Sequence, residues 1–444
     1  MGSSVTAGHD TLFNITFPTL TGVVMAPPFT VLGIELETRN AAMGNNPCLP
    51  YDVCVHAFAG KDADIVHWEQ SYNCFGNDPQ SHVPFEHFLR QSLSLPNQAV
   101  VVFSESSTPN WESKDCAADK VKPLTIPEEE KKLWDLAKKD PVKLVTEVNR
   151  LDRTHSDTWS AMNDLFKTYK IAGIQTWSHQ FYESYKCHGP YIADWGCCSA
   201  GWHPSKLGHE LRADHYSYFW LLIFKSALED ILKVENLEEH TKHVKKRVHF
   251  EHRYVPKDIV HPSTYSDTLS CYTSFQPLAD PDLSLFGLVL SKTAVNGKEP
   301  FKSDIMENFI DKNIIETAKK RGYKDFKVML YGDKDSLPLS LKLDIKHEGT
   351  VHVCEPPGNW GNLPDGFKSF YKDGNAKAFV TDVSSYDNFV FDQSKAKEVG
   401  IVDLKKGTQF VCAEIEGKFK VGKYVLTLVP TKTDKIMISF LILP

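Results

Sequence analysis

A run of seven small residues, Gly2-Ser3-Ser4-Val5-Thr6-Ala7-Gly8, constrains this chain more than any other segment. Glycines at both ends with serines between them suit a tight turn that presents a hydroxyl from a fixed backbone. A turn of this kind ordinarily follows a buried strand, and only Met1 precedes it here. Far downstream, Gly201-Trp202-His203-Pro204 is followed by Gly208-His209, which places a histidine and a proline at the start of a helix. The two segments serve one another only if the fold between them brings them together.

A length of 444 residues allows two or three domains. The net charge of −7 provides no basic footprint, so nucleic acid is not an expected partner. No run of about 18 apolar residues exists, so no membrane span is expected. The nearest run, Tyr218–Phe224, is closed off by Lys225 and Glu229 and reads as part of a buried helix. The ten cysteines follow no paired zinc spacing. Such a scattered, even set fits several disulfides in a secreted or endomembrane-lumen protein, free buried thiols being the alternative. No signal peptide is visible.

Residues 1–245 alternate strand-like and helix-like stretches, the pattern of an α/β domain. Asp64–Trp68 and Ala99–Phe103 are short and apolar and end in polar residues, as buried parallel strands do. Thr125-Ile126-Pro127-Glu128 is a capping box that starts a helix through Lys139. A second helix is predicted to run to about Lys233, with Leu207, Leu211, Tyr218 and Leu222 as its apolar face. Residues 246–264 read as a linker, and their histidines lack the partners of a metal site. Residues 265–444 are strand-rich and read as a β-sandwich-like domain. Within it, Leu339 to Ile345 alternates apolar and polar residues, and Asp304–Arg321 is the one predicted helix. Tyr424–Val429 and Ile436–Ile442 are predicted to form a hairpin.

A serine nucleophile needs a base within hydrogen-bond reach and donors aimed at the developing oxyanion. His203 suits the first role. The Ser4 amide, Gly44 and an asparagine beyond the strand ending at Trp68 suit the second. On these residues the chain resembles the SGNH/GDSL hydrolases. Gly2–Gly8 is similar to their first block, Ala42-Met43-Gly44-Asn45 to the second, Asp64–Asn73 to the third and Gly201–Pro204 to the last. The resemblance implies a three-layer α/β/α domain around a parallel sheet and ester hydrolysis through an acyl-enzyme. It also implies Ser4 and His203 as catalytic residues, with Gly44 and Asn73 (or Asn77) at the oxyanion. No cofactor and no metal are expected.

Two departures from the pattern matter. Ser3 stands where the family has aspartate, and Ala200 stands at the position of the triad acid. Alanine cannot orient an imidazole, so Asp194 is the candidate substitute. The family's first strand lies inside the sheet, so a missing strand, and a signal peptide with it, is expected ahead of Met1. The expected substrate is a carboxylic ester, an acylated carbohydrate among the options. The alternative is a catalytically weak or inactive SGNH-like module serving as a binding or surface protein.

Overall fold

A computed structural model describes residues 1–9, 11–44, 46, 48–70, 82–106, 172–176, 206–242, 269–310, 312–356, 363–403 and 411–444. The capping-box helix at 125–139 and the 246–264 linker lie outside them.

Among the described residues, the N-terminal region is organised by a three-stranded parallel sheet of β1 (Ile65–Trp68), β2 (Val100–Ser106) and β3 (Ala172–Thr176), in that order. Both predicted strands are present. Their alternation sends neighbouring side chains to opposite faces. Val66, Trp68, Val101 and Phe103 join one apolar cluster with Tyr51 of α3 (Cys48–Tyr51), Phe58 of α4 (Val55–Ala59) and Phe85, Phe88 and Leu89 of α5 (His82–Leu93). Val102 points the other way, into a second cluster with Phe17 and Met25 of α2 (Phe17–Val31). That cluster also holds Ala213, Tyr216 and Trp220 of α6 (Lys206–Ile231). Helices therefore cover both faces, as a parallel sheet requires.

The long helix α6 forms where expected, but it turns a different face inward. Tyr218 and Leu222 are 66% and 49% exposed, whereas His209, Arg212, Ala213, Tyr216 and Trp220 are buried. The buried positions are also spaced three or four apart. Their polar members hid that stripe, because His209 and Arg212 do not read as core residues. His209 Nδ1 accepts a hydrogen bond from the Phe17 amide at 3.2 Å, and the Arg212 guanidinium lies 5.9 Å from the Phe17 ring centroid.

In the C-terminal region, one antiparallel sheet has the order β10 (Lys397–Val399), β9 (Ala376–Asp382), β13 (Gly422–Pro430) and β7 (Leu339–Ile345). A second has the order β11 (Ile401–Asp403), β12 (Cys412–Phe419), β8 (Gly349–Cys354), β15 (Phe440–Leu443) and β4 (Ser270–Thr273). Leu341, Leu343, Ala378, Leu426 and Leu428 of the first meet Val351, Val353, Ile415 and Leu441 of the second in one buried cluster. This mainly-β region is two sheets closing on a shared core.

Two local expectations need correction here. Residues 304–321 are not one helix: Asp304 belongs to strand β5 (Lys302–Ile305), followed by α7 (Glu307–Ile310) and α8 (Lys312–Arg321). Nor do 424–429 and 436–442 form a hairpin. Strand β13 is paired on both edges, by β7 and β9, so the chain that follows has no free edge to return to. It instead forms β14 (Ile436–Ile438) against β6 (Val328–Gly332), then β15 between β8 and β4.

The two regions share apolar core. Leu269, Cys271, Phe275, Phe440 and Ile442 belong to the same cluster as Tyr51, Trp68 and Phe88. A disulfide joins Cys54 to Cys271 across 217 residues, and another joins Cys354 to Cys412, which are direct partners on β8 and β12. None of the described cysteines is free. Among the described residues, no helix is long and apolar enough to cross a membrane.

Two predictions follow from this packing. Replacing Cys54 and Cys271 together by serine releases a long loop in the unfolded chain and should cost about 2–5 kcal/mol in urea unfolding. Glu355 is buried, and desolvation pushes its carboxyl up to about 7 despite hydrogen bonds donated by Ser369 and Tyr371. A folded-state pKa above the unfolded value means the folded protein holds the proton longer. Stability therefore falls as pH rises from the ordinary carboxylate range through 7. Glu355→Gln should flatten that slope, gaining on the order of 3 kcal/mol at pH 8 relative to pH 4. An unchanged pH dependence of unfolding would remove Glu355 as its source.

Candidate functional site

Ser4 opens α1 (Ser4–Ala7), directly after the chain passes the carboxyl end of β1. Gly2 bridges Glu69 in parallel fashion, the Ser3 amide donates to the Glu69 carbonyl at 2.8 Å, and the Glu69 amide donates to the Met1 carbonyl at 3.0 Å. Residues 1–3 thus lie along β1 on the side away from β2. In parallel α/β sheets this carboxyl edge is where ligands bind.

The turn is held by a buried carboxylate. Glu69 Oε2 accepts from Ser3 Oγ at 2.9 Å and from Thr6 Oγ1 at 2.5 Å. Ser3 in turn caps α1, its Oγ accepting from the Val5 amide at 3.2 Å. A serine at position 3 is well matched to this site. An aspartate would set a second buried negative charge against Glu69. Gly8 ends the helix at φ +86°, and a Cβ there would lie 2.1 Å from Thr16 Cγ2. Ser4 itself is 9% exposed.

The loop carrying Gly44 is tied to this turn by several bonds. The Met43 amide donates to the Gly2 carbonyl at 2.9 Å, and Asn40 Nδ2 donates to the Thr6 carbonyl at 2.7 Å. The Tyr51 hydroxyl donates to the Ala41 carbonyl and accepts from the Gly2 amide at 3.3 Å. Burial raises the Tyr51 phenol well above its ordinary pKa, so it remains a donor. The C-terminal region reaches the same place. Asp325 Oδ2 accepts from the Gly44 amide at 3.0 Å and lies 2.8 Å from His9 Nε2. The His9 ring stacks on Tyr323 and packs so closely on Gly44 that a Cβ there would lie 2.0 Å from His9 Cε1. Behind Asp325, burial raises the Glu307 carboxyl and lowers the Lys327 ammonium, each opposed by the other's charge.

Of the expected site residues, the structure brings Ser4 and Gly44 together. His203, Asp194, Ala200, Asn73 and Asn77 lie outside the described residues. The helix that starts at Lys206, soon after His203, packs its His209–Tyr216 turns in the cluster that contains Val5 and Phe17. The sequence reading assigns no site role to Glu69, His9, Asn40, Tyr51 or Asp325. Glu69 carried a signal: it is a carboxylate at the end of a predicted parallel strand. Asp325, in a region read as a separate domain, carried none.

No protein-family profile and no curated protein matches the chain. Two crystal structures of a two-domain esterase active on acetylated mannans, one co-crystallised with mannopentaose, are similar to it. The TM-scores are 0.43 and 0.41 and the identities 13% and 12%, each match covering 99% of this chain and 89% of the other. A likeness at this level decides neither family nor substrate nor mechanism.

The geometry makes Glu69 the support of the Ser4 turn. Glu69→Gln removes the charge that Ser3 and Thr6 both address at Oε2, so that an amide oxygen there keeps the two bonds only as weaker, neutral ones. It should cost about 1.5–3 kcal/mol in chemical unfolding. An unchanged midpoint would show that the carboxylate does not hold the turn.

Proposed function

We propose that this chain is a serine-dependent ester hydrolase of SGNH type. One observation carries the reading: Ser4 starts a capped helical turn at the carboxyl edge of a parallel sheet, fastened to the Gly44 loop. That is the setting a nucleophilic serine needs, because the hydroxyl is fixed by backbone and reached from the strand ends.

In this proposal Ser4 Oγ attacks the ester carbonyl while His203 takes its proton. His203 then returns the proton to the departing alcohol. Water repeats the sequence on the acyl-enzyme, releasing the acid and restoring Ser4. Asp194 orients His203, since Ala200 cannot. The oxyanion is bordered by the Ser4 amide, the Gly44 loop and Asn73, with Asn77 as the alternative. The Gly44 amide is already engaged by Asp325. Gly44 therefore contributes by keeping its loop close to the turn, and the hydrogen bonds fall to the Ser4 amide and the asparagine. The β-rich region makes an acylated carbohydrate a natural ester to try beside small esters.

Ala200 supports a second reading, a binding module that has lost turnover. The parent and Ser4→Ala decide between them, assayed on p-nitrophenyl acetate and on an acetylated polysaccharide. The hydrolase reading expects a fall of about 10³-fold or more in turnover for the variant, as for loss of a nucleophile. A parent no faster than Ser4→Ala on both substrates leaves the binding module.

A further inference from the structure

We propose that Asp325, from the β-rich region, is a positioning residue of the Ser4 site: one carboxylate oxygen clamps the Gly44 amide and the His9 imidazole, setting the gap between the Ser4 turn and the Gly44 loop. The inference rests on the hydrolase reading and extends it to a residue far from any of its motifs.

Both groups that Asp325 holds belong to the site's frame. The His9 amide donates to the Ser4 carbonyl at 2.9 Å, so His9 finishes the nucleophile turn. Gly44 follows Met43, whose amide is bonded to the Gly2 carbonyl on the other side of that turn. The two meet directly, because the missing Cβ of Gly44 leaves space for the His9 ring. A single oxygen at 2.8 Å and 3.0 Å from them fixes their separation.

Asp325 is itself held in place. Its side chain is 5% exposed. The next residue, Phe326, exchanges two backbone hydrogen bonds with Gln276, at 3.0 and 2.9 Å, and the Lys327 carbonyl accepts from the Met306 amide at 2.9 Å. Tyr323, two residues earlier, supplies the ring that stacks on His9 at 5.0 Å. The segment 323–327 is therefore a rigid bracket and not a swinging lid. Catalytic geometry tolerates little error, since a displacement of about 1 Å can cost about 10²-fold in rate.

Asp325→Ala and Asp325→Asn in the full chain test the role. The alanine variant removes the acceptor from both groups. It should lower kcat on p-nitrophenyl acetate by about 10–100-fold, with KM changed by less than about 3-fold. The asparagine variant keeps an acceptor oxygen and should recover most of that loss. Amide hydrogen exchange supplies a readout independent of activity: the Gly44 amide should be protected in the parent and exchange at least about 10-fold faster in the alanine variant.

An alanine variant with the parent's kcat, or an asparagine variant no better than alanine, overturns the proposal. An alanine variant faster than the parent overturns it too, and shows Asp325 to be a stopper on the Gly44 amide. Should the alanine variant fail to fold, the asparagine variant and the parent's Gly44 exchange decide, and a Gly44 amide unprotected in the parent rules the clamp out. Ser4→Ala run alongside separates the two claims. Turnover that does not depend on Ser4 defeats the hydrolase reading, whereas Ser4-dependent turnover indifferent to Asp325 defeats only the positioning role.

Discussion

The carboxylate of Glu69 is the interaction on which the site depends. It is buried at the end of β1 and takes hydrogen bonds from Ser3 and Thr6. The same residue's backbone pairs with Met1 and Ser3. A carboxylate buried this deeply is tolerated because hydroxyl donors meet it, and those donors are in turn committed to it. The result is a short helix whose start, with Ser4 as its first residue, is fixed relative to the sheet.

From that point the rest of the architecture is arranged around one edge. The parallel order of β1, β2 and β3 puts their carboxyl ends together, and the helices on either face leave that edge open to loops. Tyr51 and Asn40 tie the Gly44 loop to the turn, and α6 brings its first turns against α2 through His209 and Phe17. The β-rich region is part of this arrangement and not an appendage to it. It shares an apolar cluster and a disulfide with the N-terminal region, and it sends Asp325 to Gly44 and His9.

What could be read in the sequence was local. β1 and β2 showed as short apolar runs with polar ends, the Leu339–Ile345 alternation showed β7, and α6 showed in the spacing of Leu207, Leu211, Tyr218 and Leu222, of which Tyr218 and Leu222 turn outward. Ser4 and Gly44 were legible as turn and close-approach positions. What failed depended on partners distant in the chain. The inward face of α6 carries His209 and Arg212, which meet Phe17 from far back in the chain. The presumed hairpin after β13 was undone by β7 and β9 having already filled both of its edges. The tie from Asp325 to Gly44 spans 281 residues, and no periodicity or motif records such a contact.

In the proposed function Ser4 is a nucleophile held ready by this frame. The most direct measurement is the site of covalent capture. The full-length protein is treated with a fluorophosphonate and digested, and the adduct is located by peptide mass mapping. A nucleophilic Ser4 predicts one adduct, on the peptide containing Ser4, and its loss when the protein is unfolded before treatment. No adduct, or an adduct confined to another serine, would contradict it.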